Sequence, residues 1–250
     1  MLDIGIKIKN WLQKYLEGAN LNTFVIGVSG GIDSALTSTL CAMTGKPTIL
    51  VSMPIYQSSR ELERAENHMK WLSEKYENVE NLEFDLSQTY QVFKLMWLNQ
   101  DDNLALANTR SRLRMTTLYH IATINKGLVV GTGNKVEDFG IGFYTKYGDG
   151  GVDISPIADL MKSEVRELSK SLNINKEIID APPTDGLWDD GRTDESQIGA
   201  TYDELEWAME FKGGPITERE KEVLTIYQKF HNQNKHKMVE IPIFKNEQIN

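Results

Sequence analysis

The sequence predicts an α/β fold: a doubly wound, mostly parallel sheet flanked by helices. Short apolar runs bounded by glycine or proline alternate with amphipathic segments along the chain, and this order is typical of parallel sheets covered on both faces. The length of 250 residues with 40% hydrophobic content is enough for a full core. No linker-like stretch divides the chain, so we expect a single domain over residues 1–250.

Hydrophobic periodicity predicts the individual helices and strands. Apolar residues at helical spacing predict an amphipathic helix over 4–16 and a charged surface helix over 58–76. A proline followed by β-branched residues predicts a strand at 47–53, and alternation predicts a strand at 82–86. The complete predicted order is helix 4–16, strand 23–28, helix 33–43, strand 47–53, helix 58–76, strand 82–86, helices 90–98 and 108–124, strand 127–131 and a long loop over 131–156.

Composition narrows the class of function. The 27 basic and 36 acidic residues give a formal net charge of −9, which disfavours a general role at nucleic acids or membrane surfaces. Cys41 is the only cysteine, so a disulfide framework and a cysteine-rich metal site are excluded; its place on an apolar helix face predicts core packing. No apolar run approaches the ~18 residues of a membrane span, and the start lacks a signal sequence. We therefore expect a cytoplasmic protein.

The segment Ser29-Gly-Gly-Ile-Asp-Ser34 is the most informative motif. It follows an apolar strand and opens a helix, so unpaired backbone N–H groups and the positive end of the helix dipole converge there. Glycines permit close approach of an oxygen, and Asp33 supplies a hard ligand for Mg²⁺. The motif predicts a phosphate-binding loop. The competing interpretation is a Gly-Ser turn that Asp33 merely caps.

This loop lacks the Walker A lysine and the G-x-G-x-x-G spacing of dinucleotide folds. It resembles the SGG-x-DS pyrophosphate loop of the ATP pyrophosphatase superfamily, whose members cleave ATP to AMP and pyrophosphate while adenylating an oxygen. That resemblance implies the adenine nucleotide α-hydrolase-like fold.

A second group of candidate residues follows the strand predicted at 127–131. The stretch 131–156 is rich in glycine, aromatic and charged residues without helical or strand period, which predicts a long ordered loop. Because the carboxyl ends of parallel strands meet at one edge, Thr132 and Glu137 should lie beside the phosphate loop. Alternatively, Glu137 only stabilises a helix start.

Here the resemblance becomes specific. The string GTGNKVED…GFYTKYGDGGVDISPIADLMKSEVREL resembles the NAD synthetase family, as do the arginine segment 108–115, the segments 183–188 and 194–199, and the pair His236-Lys237. Ala107 and Ser111 replace the usual Gly and Ala of the arginine segment, and Gly133-Asn134-Lys135 departs from the DHAAE-like form. The likeness runs from about residue 20 to residue 237.

The resemblance implies the reaction and its site. The family amidates nicotinic acid adenine dinucleotide (deamido-NAD) with ammonia through an acyl-adenylate, releasing AMP and pyrophosphate. Asp149 would take part in ammonia chemistry, Lys162 in catalysis and ATP binding, and Asp33 and Glu137 would hold Mg²⁺. The implied ATP-binding residues are Gly27, Ser29, Gly30, Gly31, Asp33, Ser34, Thr132, Lys162 and Thr184. The implied residues for deamido-NAD are Arg112, Lys146, Asp153, His236 and Lys237.

Alternatives stay open for two of these side chains and for the reaction. Arg112, with Arg110 and Arg114, could form a solvated basic face, and Lys162 could be a first-turn lysine of a surface helix. Two rival functions remain: another ATP pyrophosphatase of this fold, such as a GMP-forming amidase or a tRNA-modifying ligase, and a non-enzymatic nucleotide-binding module.

The nitrogen source, a lid and the assembly complete the expectations. Glutaminase domains need a nucleophilic cysteine and additional chain, so we expect use of free ammonia and no glutaminase domain; a separate glutaminase subunit stays compatible. Residues 185–197 are expected to form a lid. The family resemblance implies a homodimer, with Leu113, Met115, Leu118 and Tyr119 as contributors.

Overall fold

The computed structural model describes residues 1–97, 102–184, 186 and 192–246. Within these residues four strands form one parallel sheet in the order β3-β2-β1-β4. The strands are β1 (Thr23–Gly27), β2 (Thr48–Ser52), β3 (Val79–Glu83) and β4 (Gly127–Val129). The helices are α1 (Leu2–Gly18), α2 (Ile32–Ala42), α3 (Ser59–Lys75), α4 (Ser87–Leu95), α5 (Asn103–Ile124), α6 (Lys162–Ser171), α7 (Lys176–Ile179), α8 (Asp194–Ile198), α9 (Tyr202–Glu210) and α10 (Glu218–Met238).

The sheet is covered on both faces, as the sequence predicts. Phe24 and Ile26 of β1 point to one side, where α1, α2, α3 and α6 supply the larger buried cluster. Val25 points to the other side and packs with residues of α5. This alternation follows from the two-residue period of a strand, and all three side chains are fully buried. Cys41 is buried in the larger cluster, which confirms its core assignment.

The third strand lies three residues earlier than predicted. Alternating Leu82, Phe84 and Leu86 favour a strand at 82–86, but the pairing with β2 fixes β3 at Val79–Glu83. The ladder stops where β2 ends before Pro54, which has no N–H to donate. Phe84 is consequently 42% exposed, at the edge of the sheet. Here the partner strand, and not the local hydrophobic pattern, decides the boundary.

The predicted long loop over 131–156 is only partly correct, because a π-helix (Val136–Ile141) lies within it. A separate buried cluster joins this π-helix to α8, α9 and α10. Its members are Val136, Ile141, Ile198, Ala200, Tyr202, Leu205, Ala208 and Val223. The C-terminal helices are thereby packed directly behind the segment that carries Glu137.

The connection between the predicted helices 90–98 and 108–124 and the predicted lid both fall partly outside the described residues. Asp101 lies outside them, whereas the neighbouring Asp102 caps α5 by accepting a hydrogen bond from the Ala105 N–H at 2.9 Å. Of the predicted lid at 185–197, residues 185 and 187–191 lie outside, so the lid stays a prediction. No helix among the described residues is long and apolar enough to cross a membrane.

His68 makes the fold sensitive to acid. Its ring is 1% exposed on α3, and Nε2 lies 2.9 Å from the Ser38 hydroxyl. Burial lowers the pKa of His68 from 6.5 to about 4. The unfolded chain therefore binds a proton at a higher pH than the folded chain, and the stability present above pH 6.5 is lost as the pH falls toward 4.

We expect His68→Gln to remove this part of the acid sensitivity. As the pH falls from 7 to 5, protonation of His68 in the unfolded chain should lower the free energy of unfolding by ~2 kcal/mol. Urea unfolding at both pH values measures the difference, with exposed His120→Gln as the control. Equal acid losses in wild type and His68→Gln would contradict the assignment.

Candidate active site

The phosphate loop and the end of β4 meet at one edge of the sheet, as predicted from the rule that the carboxyl ends of parallel strands meet at one edge. Between them is a cleft with a water-accessible space of about 260 Å³. Of the predicted ATP-binding residues, these line it: Gly27, Ser29, Gly31, Asp33, Ser34, Thr132, Lys162 and Thr184. Glu137 and Asp149 also line the cleft. One cavity thus joins the predicted phosphate, metal and ammonia residues.

Gly30 is a glycine for a structural reason. Its φ is 82°, a left-handed conformation, and a Cβ there would lie 2.4 Å from the Glu61 backbone carbonyl. Its own carbonyl accepts a hydrogen bond from Arg64 Nε at 3.2 Å. Gly30 is not among the residues that line the cleft. It lets α3 pack against the loop, and its predicted contact with phosphate remains a prediction.

The loop closes on itself through its two serines. Ser34 Oγ accepts from the Ser29 N–H at 3.2 Å and donates to the Gly31 carbonyl at 3.0 Å. Ser29 Oγ accepts from the Gly31 N–H at 3.2 Å and lies 3.1 Å from Ser34 Oγ. These bonds hold the turn between β1 and α2 in a defined shape.

Lys162 is the central cation of the cleft. It is the first residue of α6, only 2% exposed, and its Nζ donates to Asp33 Oδ2 at 2.5 Å and to Glu137 Oε1 at 3.0 Å. Burial acts to lower the pKa of Lys162, but the charges of Asp33 and Glu137 outweigh it and raise the pKa above the usual value. The interpretation as a surface-helix lysine is therefore wrong.

Two residues that the sequence analysis did not single out hold this centre. The fully buried Asn134 donates to Asp33 Oδ1 at 3.1 Å and accepts from the Glu137 N–H at 3.2 Å. The Tyr202 hydroxyl donates to Glu137 Oε1 at 2.5 Å. The sequence did contain a signal for Asn134, because an asparagine three residues before a glutamate is typical of a helix start. Tyr202, distant in sequence, carried none.

Asp138 is another residue of the cleft that the sequence analysis did not single out. Its carboxyl lines the cleft, and a Cβ on Gly133 would lie 2.2 Å from Asp138 Oδ1. Burial, together with the charges of Glu137, Asp149 and Asp33, raises the pKa of Asp138 to about 8. Gly133 therefore leaves room for a buried carboxyl whose pKa is raised.

Asp149 stands on the wall of the same cleft. Its Oδ1 accepts from Ser111 Oγ at 2.6 Å and from the Thr145 N–H at 2.9 Å. The residue is exposed toward the open cleft, yet the surrounding protein raises the pKa of its carboxyl, against the lowering effect of these hydrogen bonds. Ser111, which departs from the family alanine, is thus a direct partner of Asp149.

The predicted dinucleotide residues are not among those lining the cleft. Lys146 Nζ donates to the His236 carbonyl at 2.8 Å, and Arg112 Nη2 donates to the Lys146 carbonyl at 3.4 Å. Lys237 Nζ donates to the carbonyls of Gly142 and Tyr144, each at 2.7 Å. Four of the five, Arg112, Lys146, His236 and Lys237, therefore gather beside the end of α10.

Asp153 lies apart from those four. Its Oδ2 accepts from the Val129 N–H at 2.8 Å, and its Oδ1 accepts from the Tyr119 hydroxyl at 3.0 Å. Burial and the charge of Asp153 raise the pKa of Tyr119 to about 12. Asp153 is therefore tied to β4 and α5.

The solvated basic face predicted as an alternative on α5 does not form. Arg110 is 6% exposed with its guanidinium 4.9 Å from the Tyr90 ring centroid, a cation–π distance. Arg114 Nε donates to the Met53 carbonyl at 3.1 Å. Only Arg112 of the three is exposed to solvent.

Comparison with known proteins decides the family. The NAD synthase family model matches residues 5–248. The chain belongs to the NAD synthase family. It is 36% identical over 242 residues to the NH₃-dependent NAD⁺ synthetase of Alkaliphilus oremlandii, covering 92% of both proteins. It is 39% identical over 201 residues to that of Carboxydothermus hydrogenoformans, covering 80% of this chain and 82% of the relative.

Solved structures agree with the NAD synthase family assignment. The NMN synthetase from Francisella tularensis has a TM-score of 0.88 and 32% identity, covering 98% of both chains. The NH₃-dependent NAD synthetase from Campylobacter jejuni has a TM-score of 0.78 and 25% identity, covering 98% of this chain and 99% of that one. The match to the NAD synthase family does not favour a GMP-forming or tRNA-modifying enzyme.

The role of Gly30 can be tested against a matched glycine. Gly45 also has a positive φ of 73°, but a Cβ there would meet nothing within 4 Å. We expect Gly45→Ala to cost about 1 kcal/mol of stability from backbone strain alone. Gly30→Ala should cost roughly 1–3 kcal/mol more, because the methyl group displaces the Glu61 backbone.

Urea unfolding measures both costs, and calorimetry with an ATP analogue measures the effect on nucleotide binding. Only Gly30→Ala should weaken that binding. Equal stability losses in the two variants would contradict the proposed packing constraint.

Proposed function

We propose that this enzyme amidates deamido-NAD to NAD with ammonia and ATP, through an acyl-adenylate, and releases AMP and pyrophosphate. The observation that carries the proposal is the single cleft in which the phosphate loop, Lys162 and Asp149 meet. Family membership supplies the substrate class.

The chemistry requires activation before amidation. A carboxylate does not react with ammonia because its leaving group would be oxide. The nicotinate carboxylate oxygen therefore attacks the α-phosphorus of ATP, forming an O–P bond as the bond to pyrophosphate breaks. Ammonia then forms a C–N bond with the activated carbonyl, AMP leaves, and the nitrogen loses a proton. The protein chiefly positions the reactants and neutralises charge.

Lys162 and the loop are suited to the first step. The Lys162 ammonium is held at the start of α6 by two carboxylates, from which it reaches the cleft. The N-terminus of α2 offers positive electrostatic potential for phosphate oxygens. Asp149 is suited to the second step, since its carboxylate can hold ammonium and accept its proton.

Asp33 and Glu137 fit a magnesium site. Both carboxylates converge on one cationic group, Lys162 Nζ, and oxygen ligands are those that Mg²⁺ prefers. No cluster of three or more His, Cys, Asp or Glu residues suited to a metal occurs within the described parts of the chain, so phosphate oxygens would complete the coordination. When bound, Mg²⁺ offsets the charge of the triphosphate and of the departing pyrophosphate.

A mononucleotide is the second candidate substrate. The observation that favours it is the likeness to the Francisella tularensis NMN synthetase, at 32% identity over nearly the whole chain. The same cleft chemistry would amidate nicotinic acid mononucleotide, since the reacting carboxylate is identical. The two candidates differ only in whether an adenylate half must also be bound.

Parallel assays distinguish them. Purified protein is supplied with ATP, Mg²⁺, ammonium and either deamido-NAD or nicotinic acid mononucleotide, and the amidated product and AMP are measured. We expect a higher kcat/KM for deamido-NAD. A preference for the mononucleotide would select the second candidate, and no amidation of either would refute the proposal.

Arg112 provides a test of the predicted dinucleotide contacts. Arg112→Ala and Lys146→Ala should raise the KM for deamido-NAD on the order of tenfold or more, while the KM for ATP changes little, because each removes a cation that faces only one substrate. Steady-state kinetics with each substrate varied measures this. Equal effects on both KM values would contradict the assignment.

We also propose a homodimer. An apolar surface on α4, the turn that follows it and the start of α5 supports this, because a twofold partner would cover it. Its residues, with their exposed fractions, are Val92 64%, Leu95 50%, Met96 70%, Trp97 47% and Leu104 61%. Two predicted contributors, Met115 and Leu118, line the cleft of their own chain. A fully active monomer in sedimentation at assay concentration would contradict a dimeric site.

A further inference from the structure

We propose that His231, Asn234 and Lys237 of α10 are positioning residues that hold the π-helix, and with it Glu137, in its active geometry. We call these three residues the α10 ladder. The proposal rests on the proposed function for its kinetic consequences, but its structural part is independent of the substrate.

The α10 ladder binds consecutive backbone carbonyls. His231 Nδ1 lies 2.7 Å from the Gly140 carbonyl oxygen, and Asn234 Nδ2 donates to the Ile141 carbonyl at 2.8 Å. Lys237 Nζ donates to the next carbonyl, that of Gly142, at 2.7 Å. The spacing of three residues places all three donors on one helix face.

These carbonyls need partners from outside the π-helix. The last carbonyls of any helix have no intrahelical donor, and π-helices are rare single turns. At Gly142 the chain turns with φ 63°, and a Cβ there would lie 2.5 Å from Asn234 Cβ. Backbone and α10 are therefore in direct contact, and the α10 ladder satisfies the carbonyl end of this turn.

The other end of the π-helix is held by Asn134, next to the cleft residue Asp33. Asn134 Oδ1 accepts from the Val136 N–H at 3.1 Å and from the Glu137 N–H at 3.2 Å, while its amide donates to Asp33. A single helical turn is thus fixed at both ends, by the buried Asn134 beside the cleft and by the α10 ladder behind it. Because Glu137 lies in that turn, the α10 ladder determines how Glu137 meets Lys162.

Lys237 makes two contacts with the backbone that follows the π-helix. Its amine donates to two carbonyls, those of Gly142 and Tyr144, and burial lowers the pKa of Lys237. Releasing the amine to bind a substrate would break both bonds. These two bonds place Lys237 in the α10 ladder, and the dinucleotide contact that the sequence resemblance implies for it stays a prediction.

The test uses His231→Phe, which keeps the ring stacked near Tyr227, and Asn234→Ala. Matched controls on the same helix are Asn232→Ala and Lys235→Met, both exposed residues outside the α10 ladder. The double variant His231→Phe/Asn234→Ala should lower kcat on the order of 100-fold, since misplacement by about 1 Å has that effect. The KM for ATP should stay within about twofold, and both controls should match wild type.

Hydrogen exchange supplies a readout that needs no substrate. Amides of residues 136–149 should exchange faster in the double variant, while those of β1 and β2 keep wild-type protection. Lys237→Arg, which retains donors, should keep more kcat than Lys237→Met. Unchanged exchange with wild-type kcat would refute the proposal. A raised KM for the nicotinate substrate at constant kcat would instead make these residues ligands and also overturn it.

The experiments distinguish an error in the proposed function from an error in the positioning role of the α10 ladder. If wild type amidates neither nicotinate substrate, the function is refuted, and the exchange measurement still decides whether the α10 ladder holds residues 136–149.

Discussion

Lys162→Met should abolish most activity and destabilise the fold. The change leaves the Asp33 and Glu137 carboxylates facing each other without their shared ammonium, whose side chain is only 3% exposed. Removing one member of a buried ion cluster costs about 3–5 kcal/mol. Loss of a preorganised cation at the phosphates should lower kcat by ~10²–10³-fold. Urea unfolding and pyrophosphate release measure the two effects.

Lys135→Met is the matched control. Lys135 also pairs with a carboxylate, Asp159 at 2.9 Å, but Asp159 is 96% exposed, so the pair should contribute little. We further expect Mg²⁺ without nucleotide to raise the unfolding temperature of Lys162→Met more than that of wild type, because the metal can replace the missing ammonium. Wild-type stability in Lys162→Met would show that the ion cluster is not formed.

Asp33→Asn should have the second large effect. The substitution keeps the size of the side chain and its position at the start of α2 but removes the charge that meets Lys162 at 2.5 Å. We expect adenylation to fall on the order of 10³-fold, because several kcal/mol of charge stabilisation are lost at the phosphates. The measurement is pyrophosphate release with Mg²⁺ varied.

Circular dichroism should show that Asp33→Asn remains folded, since one amide oxygen can still accept from Lys162. Asp159→Asn is the control, an exposed carboxylate outside the cleft. Normal pyrophosphate release by Asp33→Asn at all Mg²⁺ concentrations would remove Asp33 from the reaction.

The sheet and the phosphate loop could be predicted because their signals are local. β1 and β2 are marked by apolar runs between breakers, and the turn from β1 into α2 is marked by consecutive glycines and serines. The common location of the loops then follows from the rule that the carboxyl ends of parallel strands meet at one edge of the sheet. That rule alone predicts that Thr132 and Glu137 lie beside the phosphate loop, although they are about 100 residues away from it in sequence.

The remaining features depend on contacts between distant segments. The carbonyl end of the π-helix accepts hydrogen bonds from α10, more than 90 residues later in the chain, and no local period could reveal that contact. Tyr202 reaches Glu137 from α9, and Asp138 owes its raised pKa first to burial and then to the charges of three other carboxylates. The residue at which β3 ends is likewise decided by where β2 ends.

The closed arrangement of Ser29 and Ser34 has a consequence for selectivity among anions. Since the Ser29 and Gly31 N–H groups already have hydroxyl partners at 3.2 Å, a phosphate arriving there exchanges partners and does not gain them. An exchange of one hydrogen bond for another yields little net free energy. A lone phosphate or chloride would therefore be held weakly, whereas a triphosphate that engages the loop, Lys162 and Thr184 together has an advantage that grows with each contact. The loop would therefore bind long polyanions more tightly than short ones.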